Sequence, residues 1–219
     1  MKAKEEKILF KDRIKKRDYP KLIAELNQAI DNGEEALRRL LLGKDDPDLY
    51  ENHGKYKDGQ HNRCGGLKSD TFTEKRLCKC FYYLNGNYCC KEDCENCGFV
   101  DRYEIVGAYK ITDYERPPYY YVSRVGNIDL VLNDIYATEV KPYRGNREYL
   151  LRMVAEILTY TLGFPEGKYK KAIAFFEDTP QAREYKKYDK ALMDLMKKVD
   201  ITVFCFEKRG ENTYEICKL

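Results

Sequence analysis

Three residues in one short stretch have the types and spacing of a hydrolytic metal site. From Gly126 to Lys141 the chain reads GNIDLVLNDIYATEVK, with an acid at Asp129 and the tripeptide Glu139-Val140-Lys141. Carboxylates supply hard oxygen ligands for Mg²⁺ or Mn²⁺. Such an ion polarises a phosphate and lowers the pKa of a bound water. A lysine beside it can orient that water or stabilise the charge that develops in the transition state. The chemistry these residues suit is phosphodiester hydrolysis. An edge hairpin with its charges in solvent would contain the same letters, so position decides.

Position is set by the strands that carry the residues. Residues 128–132 and 135–141 are rich in Ile, Leu, Val, Tyr and Thr, with an Asn133-Asp134 turn signal between them. Glu139 and Lys141 are two apart on one strand and share a face. A three-residue loop at 133–135 sets Asp129 opposite Glu139, whereas a two-residue loop sets it opposite Thr138, on the wrong face. The metal-site reading therefore predicts an odd-length loop or a bulge.

Ile128-Asp129…Glu139-Val140-Lys141 resembles the active-site core of the PD-(D/E)xK nucleases, with Ile128 where that family usually has proline. A helix predicted over about 147–162 carries Glu156-Ile157-Leu158-Thr159-Tyr160. This is similar to the Gln-x-x-x-Tyr motif of RecB-like members, with Glu in place of Gln. A strand-like run at 171–177, a basic helix at 181–199 and a strand at 201–207 follow in the family's order. The resemblance covers roughly residues 100–219. It implies a restriction-endonuclease-like α/β fold, a mixed sheet flanked by helices, and a Mg²⁺- or Mn²⁺-dependent nuclease acting on nucleic acid, with DNA expected ahead of RNA. Asp129, Glu139 and the Val140 carbonyl would be the metal ligands. Lys141 would serve the attacking water or the transition state, and Glu156 and Tyr160 would hold substrate or metal-bound water. The competing reading is a non-catalytic module on a degenerate nuclease fold that binds nucleic acid or protein.

On the predicted helix, Leu150, Leu151, Val154, Ile157, Leu158, Thr161 and Leu162 form one apolar face. Arg152, Glu156 and Tyr160 project from the other side. They serve the site only if that side lines the cleft; otherwise they are a solvated polar face.

Seven of the nine cysteines lie between Cys64 and Cys97. The chain opens MKAKEEK with no apolar signal run, so a cytoplasmic setting is expected, where disulfides are disfavoured. Cys78, Cys80, Cys89, Cys90, Cys94 and Cys97 then read as a metal knuckle, because closely spaced thiolates in a tight turn grip one tetrahedral ion. Cys94-x-x-Cys97-Gly98 is the firmest half, joined by two of the other four. Cys64 and His61 also lie near. Some RecB-like nucleases hold an iron–sulfur cluster with one cysteine before the nuclease motifs and three after. Here the cluster precedes Asp129 entirely and only Cys205 and Cys217 follow, so structural zinc is expected ahead of iron–sulfur. Cys205, in an apolar run, reads as packed.

The 219 residues suit one moderate domain with an insertion: an N-terminal helical segment at 1–49, a cysteine-rich insertion at 50–99 and the nuclease-like core at 100–219. No run of eighteen apolar residues argues for a membrane span. A net charge of +3 is too small to identify a nucleic-acid partner. Basic residues gather at 2–21 and at Arg183, Lys186, Lys187, Lys190, Lys197 and Lys198, where they can neutralise phosphates or simply face solvent. The run Pro117-Pro118-Tyr119-Tyr120-Tyr121 could stack on bases or form a strand leading into the hairpin. Residues 20–42 read as a helix split at Asn32-Gly33, residues 43–59 as a polar loop, and residues 103–109 as a first strand. An acidic ligand from an early helix is also expected from the resemblance; Glu34 and Glu35 are candidates that nothing in the sequence separates.

Overall fold

The computed structural model describes residues 8–43, 48–49, 74–85, 104–122, 124–142 and 148–219. Among these, the helices are α1 (Tyr19–Asp31), α2 (Glu34–Leu42), α3 (Glu74–Asn85), α4 (Leu150–Thr161), α5 (Pro180–Lys186) and α6 (Lys190–Lys198). The strands are β1 (Asp48–Leu49), β2 (Glu104–Val106), β3 (Ile111–Arg116), β4 (Tyr120–Tyr121), β5 (Ile128–Leu132), β6 (Tyr136–Lys141), β7 (Lys170–Phe176), β8 (Ile201–Lys208) and β9 (Thr213–Lys218). Seven strands form one mixed sheet in the order β2-β9-β8-β7-β6-β5-β3. The β6–β7, β7–β8 and β2–β9 ladders are parallel and the others antiparallel. The chain is thus an α/β protein with helices flanking a mixed sheet. No described helix is long and apolar enough to cross a membrane.

Helices on both faces bury the central strands from two sides, which is why β5 is buried at all of its positions rather than alternating. One face, with Val131, Ala137, Ile173, Phe175, Val203 and Cys205, packs against α1, α2, α4 and α6. On the other, Leu130, Leu132, Val140, Ala172, Ala174, Phe204 and Phe206 pack against α3. Phe81 pins that helix, its ring stacked at 5.4 Å from Phe206 and 6.2 Å from Phe176. Helix α3 lies inside the stretch read from sequence as a cysteine-rich insertion, yet its buried residues belong to the core of the sheet.

One expected break is present, and several elements differ from the sequence reading. The split at Asn32-Gly33 occurs, with Gly33 at φ +93° between α1 and α2. The single basic helix expected over 181–199 is two, α5 and α6, separated by Tyr188 at φ +52°. Residues 120–121 do form a strand, but β4 pairs with β1 in a separate ladder instead of leading into the hairpin. Tyr120 is 8% exposed and lies so close to Gly163 that a Cβ there would come within 2.3 Å of its ring. It is therefore a packing residue and not an open stacking surface. Strands β3 and β9 were not anticipated.

Candidate metal centre

The hairpin has the odd loop that the site requires. Asn133 and Asp134 take φ of +51° and +58°, a region that short Asn and Asp side chains tolerate. The Ile135 amide donates to the Leu132 carbonyl at 3.0 Å, closing a tight turn of the primed type that suits strand twist. Ile135 is the third loop residue, and pairing resumes at Leu132–Tyr136, Val131–Ala137 and Leu130–Thr138. One step further, Asp129 faces Glu139. Instead of a ladder bond there, the Val140 amide donates to Asp129 Oδ2 at 2.8 Å. Leu130, Leu132 and Val140 belong to the α3 side and Val131 and Ala137 to the α4 side. Glu139 and Lys141 share a face by alternation, and Asp129 joins Glu139 at the end of the hairpin, where carboxylates from both α3 and α4 reach.

A third carboxylate arrives from α3. Oxygens of Glu74, Asp129 and Glu139 lie within 4.8 Å of one another. Glu74, Cys78 and Phe81 are spaced four and then three apart, one face of the helix, so anchoring Phe81 against the sheet carries Glu74 to the site. The sequence reading missed this carboxylate because it assigned residues 50–99 to the cysteine module. The available signal was the helical spacing of Leu77, Cys78, Phe81 and Leu84 behind an acid. Glu34 and Glu35, the earlier candidates, are exposed on α2, where Glu35 pairs with Arg39.

Lys141 is the cationic centre. Its ammonium lies 2.5 Å from Glu139 Oε1, 3.0 Å from Glu148, 3.2 Å from Glu74 and 3.4 Å from Glu156. Burial alone would lower its pKa, but Glu139, Glu156, Asp129 and Glu74 together hold it well above the usual lysine value. The acids are raised too, but there burial drives the shift. Burial, then Glu74, pushes the Asp129 carboxyl well above its ordinary range against the pull of Lys141 and the Val140 amide. Burial, then Asp129, does the same to Glu139. Glu74 is also raised by burial, opposed by Lys141.

The polar side of α4 is buried, with Glu156 and Tyr160 only 3% and 4% exposed. The solvated reading of these residues is thereby excluded. Burial raises the Glu156 carboxyl, but Lys141, a hydrogen bond to Glu139, Lys11 and Arg152 outweigh it, and its net shift is downward. Arg152 Nε is 3.3 Å from Glu156 and 3.2 Å from Glu148. Lys11 reaches the same place from a 3-10 turn at Phe10–Arg13, its ammonium 3.5 Å from Glu156 and 3.1 Å from the Tyr160 hydroxyl. This lysine from the basic N-terminal stretch is buried in the site rather than displayed to a phosphate backbone. A tertiary cap fixes the start of α4: Glu184 accepts from the Leu150 amide at 3.3 Å and from the Tyr19 hydroxyl at 2.8 Å, meeting the need of a helix N-terminus for acceptors.

The expected knuckle is altered at its first pair. Cys78 and Cys80 lie within α3, where side chains two residues apart diverge by roughly 200°. They cannot grip one ion as a tight-turn pair. Cys78 is fully buried in the second core, and burial raises its thiol well above the ordinary value. Cys80 is buried on the same helix. Cys205 packs in the first core, as expected. Cys64, Cys89, Cys90, Cys94 and Cys97, with His61, lie outside the described residues.

The donor set suits a hard divalent cation. Three carboxylates converge, and Glu139 Oε2 is buried with no hydrogen-bond partner among the described residues. Glu74, Asp129, Glu139, Glu148 and Glu156 face Lys11, Lys141 and Arg152, a formal excess of two negative charges when every group is ionised. Among known proteins, no family model, no curated protein and no solved structure matches the chain.

Proposed function

We propose that the chain is a metal-dependent nuclease of the PD-(D/E)xK type, RecB-like branch, that hydrolyses phosphodiester bonds in nucleic acid, with DNA the substrate ahead of RNA. On this reading the mixed sheet is restriction-endonuclease-like. In the same proposal Cys94 and Cys97, with two further cysteines of the stretch before the hairpin, would hold a structural zinc ion. The observation that carries the reading is the convergence of Glu74, Asp129 and Glu139 within 4.8 Å beside the Lys141 ammonium.

Glu74, Asp129 and Glu139 would hold Mg²⁺ or Mn²⁺, both of which prefer such oxygens. The Val140 carbonyl is a further candidate ligand. In an antiparallel ladder a residue's amide and carbonyl face the same neighbouring strand, and the Val140 amide already faces Asp129. The bound ion would polarise the scissile phosphate and lower the pKa of the attacking water. Lys141, held charged by its carboxylates, would orient that water and offset the negative charge gathering on the transferred phosphoryl group. Glu156 backs Lys141 from α4, and Tyr160 donates or accepts at the same wall.

Purified protein incubated with single-stranded DNA, double-stranded DNA and RNA in Mg²⁺ or Mn²⁺, beside Glu139→Ala and Lys141→Ala, tests this directly. Cleavage by wild type that both variants lose supports the reading. Cleavage by Lys141→Ala equal to wild type refutes the mechanism. A wild type silent on every substrate favours the binding module, whose affinity for its partner would survive EDTA and Asp129→Ala.

A further inference from the structure

Lys11 lies far from the hairpin in sequence, yet its side chain is 8% exposed and directed into the α4 wall. An ammonium has three donors, and here each has a candidate acceptor: the Val125 carbonyl at 2.8 Å, the Tyr160 hydroxyl at 3.1 Å and Glu156 Oε1 at 3.5 Å. These belong to different parts of the site. Val125 precedes the strand bearing Asp129, whereas Glu156 and Tyr160 belong to α4. The turn is also held by its backbone, since Arg152 donates to the Lys11 carbonyl at 3.4 Å while its Nε meets Glu148 and Glu156. Gly126 makes the approach possible. Its φ is +91°, and a Cβ there would come within 2.6 Å of the Tyr160 hydroxyl and 3.5 Å of the Lys11 ammonium.

Glu156 divides its two oxygens between cations. Oε1 faces Lys11 and Arg152, and Oε2 faces Lys141 at 3.4 Å. With Lys11 removed, the Glu156 charge would be shared by Arg152 and Lys141 alone, drawing Lys141 toward α4 and away from Glu139.

Building on the nuclease reading, we infer that Lys11 is a positioning residue: it occupies Glu156 from the N-terminal side and so leaves the Lys141 ammonium at the hairpin carboxylates. The site is then completed by a segment more than a hundred residues upstream of its motif, and Lys11 does not itself touch substrate because its donors are already engaged.

A double-mutant cycle of Lys11→Met and Glu156→Gln tests this, read in single-turnover cleavage, in Mn²⁺ affinity by calorimetry and in melting temperature. Lys11→Met should lower kcat by about tenfold or more, with KM changed less than about threefold, the pattern for an interaction realised in the transition state. Mn²⁺ should bind at least as tightly as to wild type, because one positive charge has left an acidic site. A loosened fold would weaken Mn²⁺ binding together with kcat. In the Glu156→Gln background, Lys11→Met should cost little further, since residues acting through one another are not additive. Wild-type kcat in Lys11→Met, multiplicative losses in the double variant, or weakened Mn²⁺ binding would each overturn the inference. If Lys11→Met does not fold, Lys11→Arg takes its place in the same cycle: it keeps the charge, so retained kcat supports the inference and a tenfold loss opposes it. A wild type that binds Mn²⁺ but cuts nothing refutes the nuclease reading instead; the link from Lys11 to Glu156 is then still read from non-additivity in Mn²⁺ affinity.

Discussion

Asp129→Asn should abolish cleavage and at the same time make the metal-free protein more stable. Asp129 is 7% exposed and shares a 4.8 Å sphere with Glu74 and Glu139. Two unit charges at that separation repel by about 3.5 kcal/mol at an effective dielectric constant near 20. Asp129 has two such neighbours, and attraction to Lys141 offsets part of the repulsion. The balance is set by its carboxyl, which burial and Glu74 push well above the ordinary range despite Lys141 and the Val140 amide. Asparagine of the same shape keeps an acceptor for that amide and removes the charge. Because proton uptake already relieves part of the strain in wild type, the expected net gain is about 2 kcal/mol. For a chain of this size that corresponds to a rise of about 4–8 °C in melting temperature. The assay is thermal unfolding followed by circular dichroism, in EDTA and then in Mn²⁺. Mn²⁺ at a hundred times its Kd should stabilise wild type by about 2.7 kcal/mol and Asp129→Asn by far less, so the order of the two proteins reverses when metal is added. A variant that melts below wild type in EDTA, or that Mn²⁺ stabilises equally, would refute the argument that this carboxylate is held at a cost for the sake of a cation.

The same charges predict a pH dependence. Asp129, Glu139 and Glu74 have folded-state pKa values raised above their unfolded ones, so the unfolded chain releases these protons first and stability falls as pH rises from the ordinary carboxylate range toward neutrality. Metal-free protein should therefore melt higher at pH 5.5 than at pH 7.5, with the gain reversing below about pH 4 as Glu156, whose pKa is lowered, takes up its proton; a flat or opposite trend between pH 5.5 and 7.5 would count against the buried acidic cluster. Gly126→Ala should cost about 1–3 kcal/mol, because its φ is +91° and the new methyl would meet the Tyr160 hydroxyl at 2.6 Å; a melting temperature equal to that of wild type would show that the wall yields freely. Cys97→Ser should release zinc and lower the melting temperature, and elemental analysis finding the metal content unchanged would remove Cys97 from the zinc module.

The hairpin was legible because its information is local. Strand alternation has a period of two, so the demand that Asp129 face Glu139 left only an odd loop, and Asn133 and Asp134 are residues that can make one. The apolar face of α4 and the order of strands and helices after it were readable for the same reason. The polar face of α4 was not: Arg152, Glu156 and Tyr160 have the spacing of a solvated stripe, and burial came from segments that periodicity cannot see.

What the sequence determined by itself is the hairpin, its loop parity and the three residues Asp129, Glu139 and Lys141 on one side of it. Tertiary structure alone decided the rest. Glu74 became a neighbour because Phe81 seats α3 on the sheet, and that same packing buries Cys78, one of the four cysteines read as alternative metal ligands, in the core. Lys11 became part of the site only because Gly126 leaves room beside Tyr160. Spacing along one chain segment shows which side chains share a face, but which distant segment covers that face depends on burying apolar surface from both. A charged residue's meaning, solvated or structural, follows from that second event.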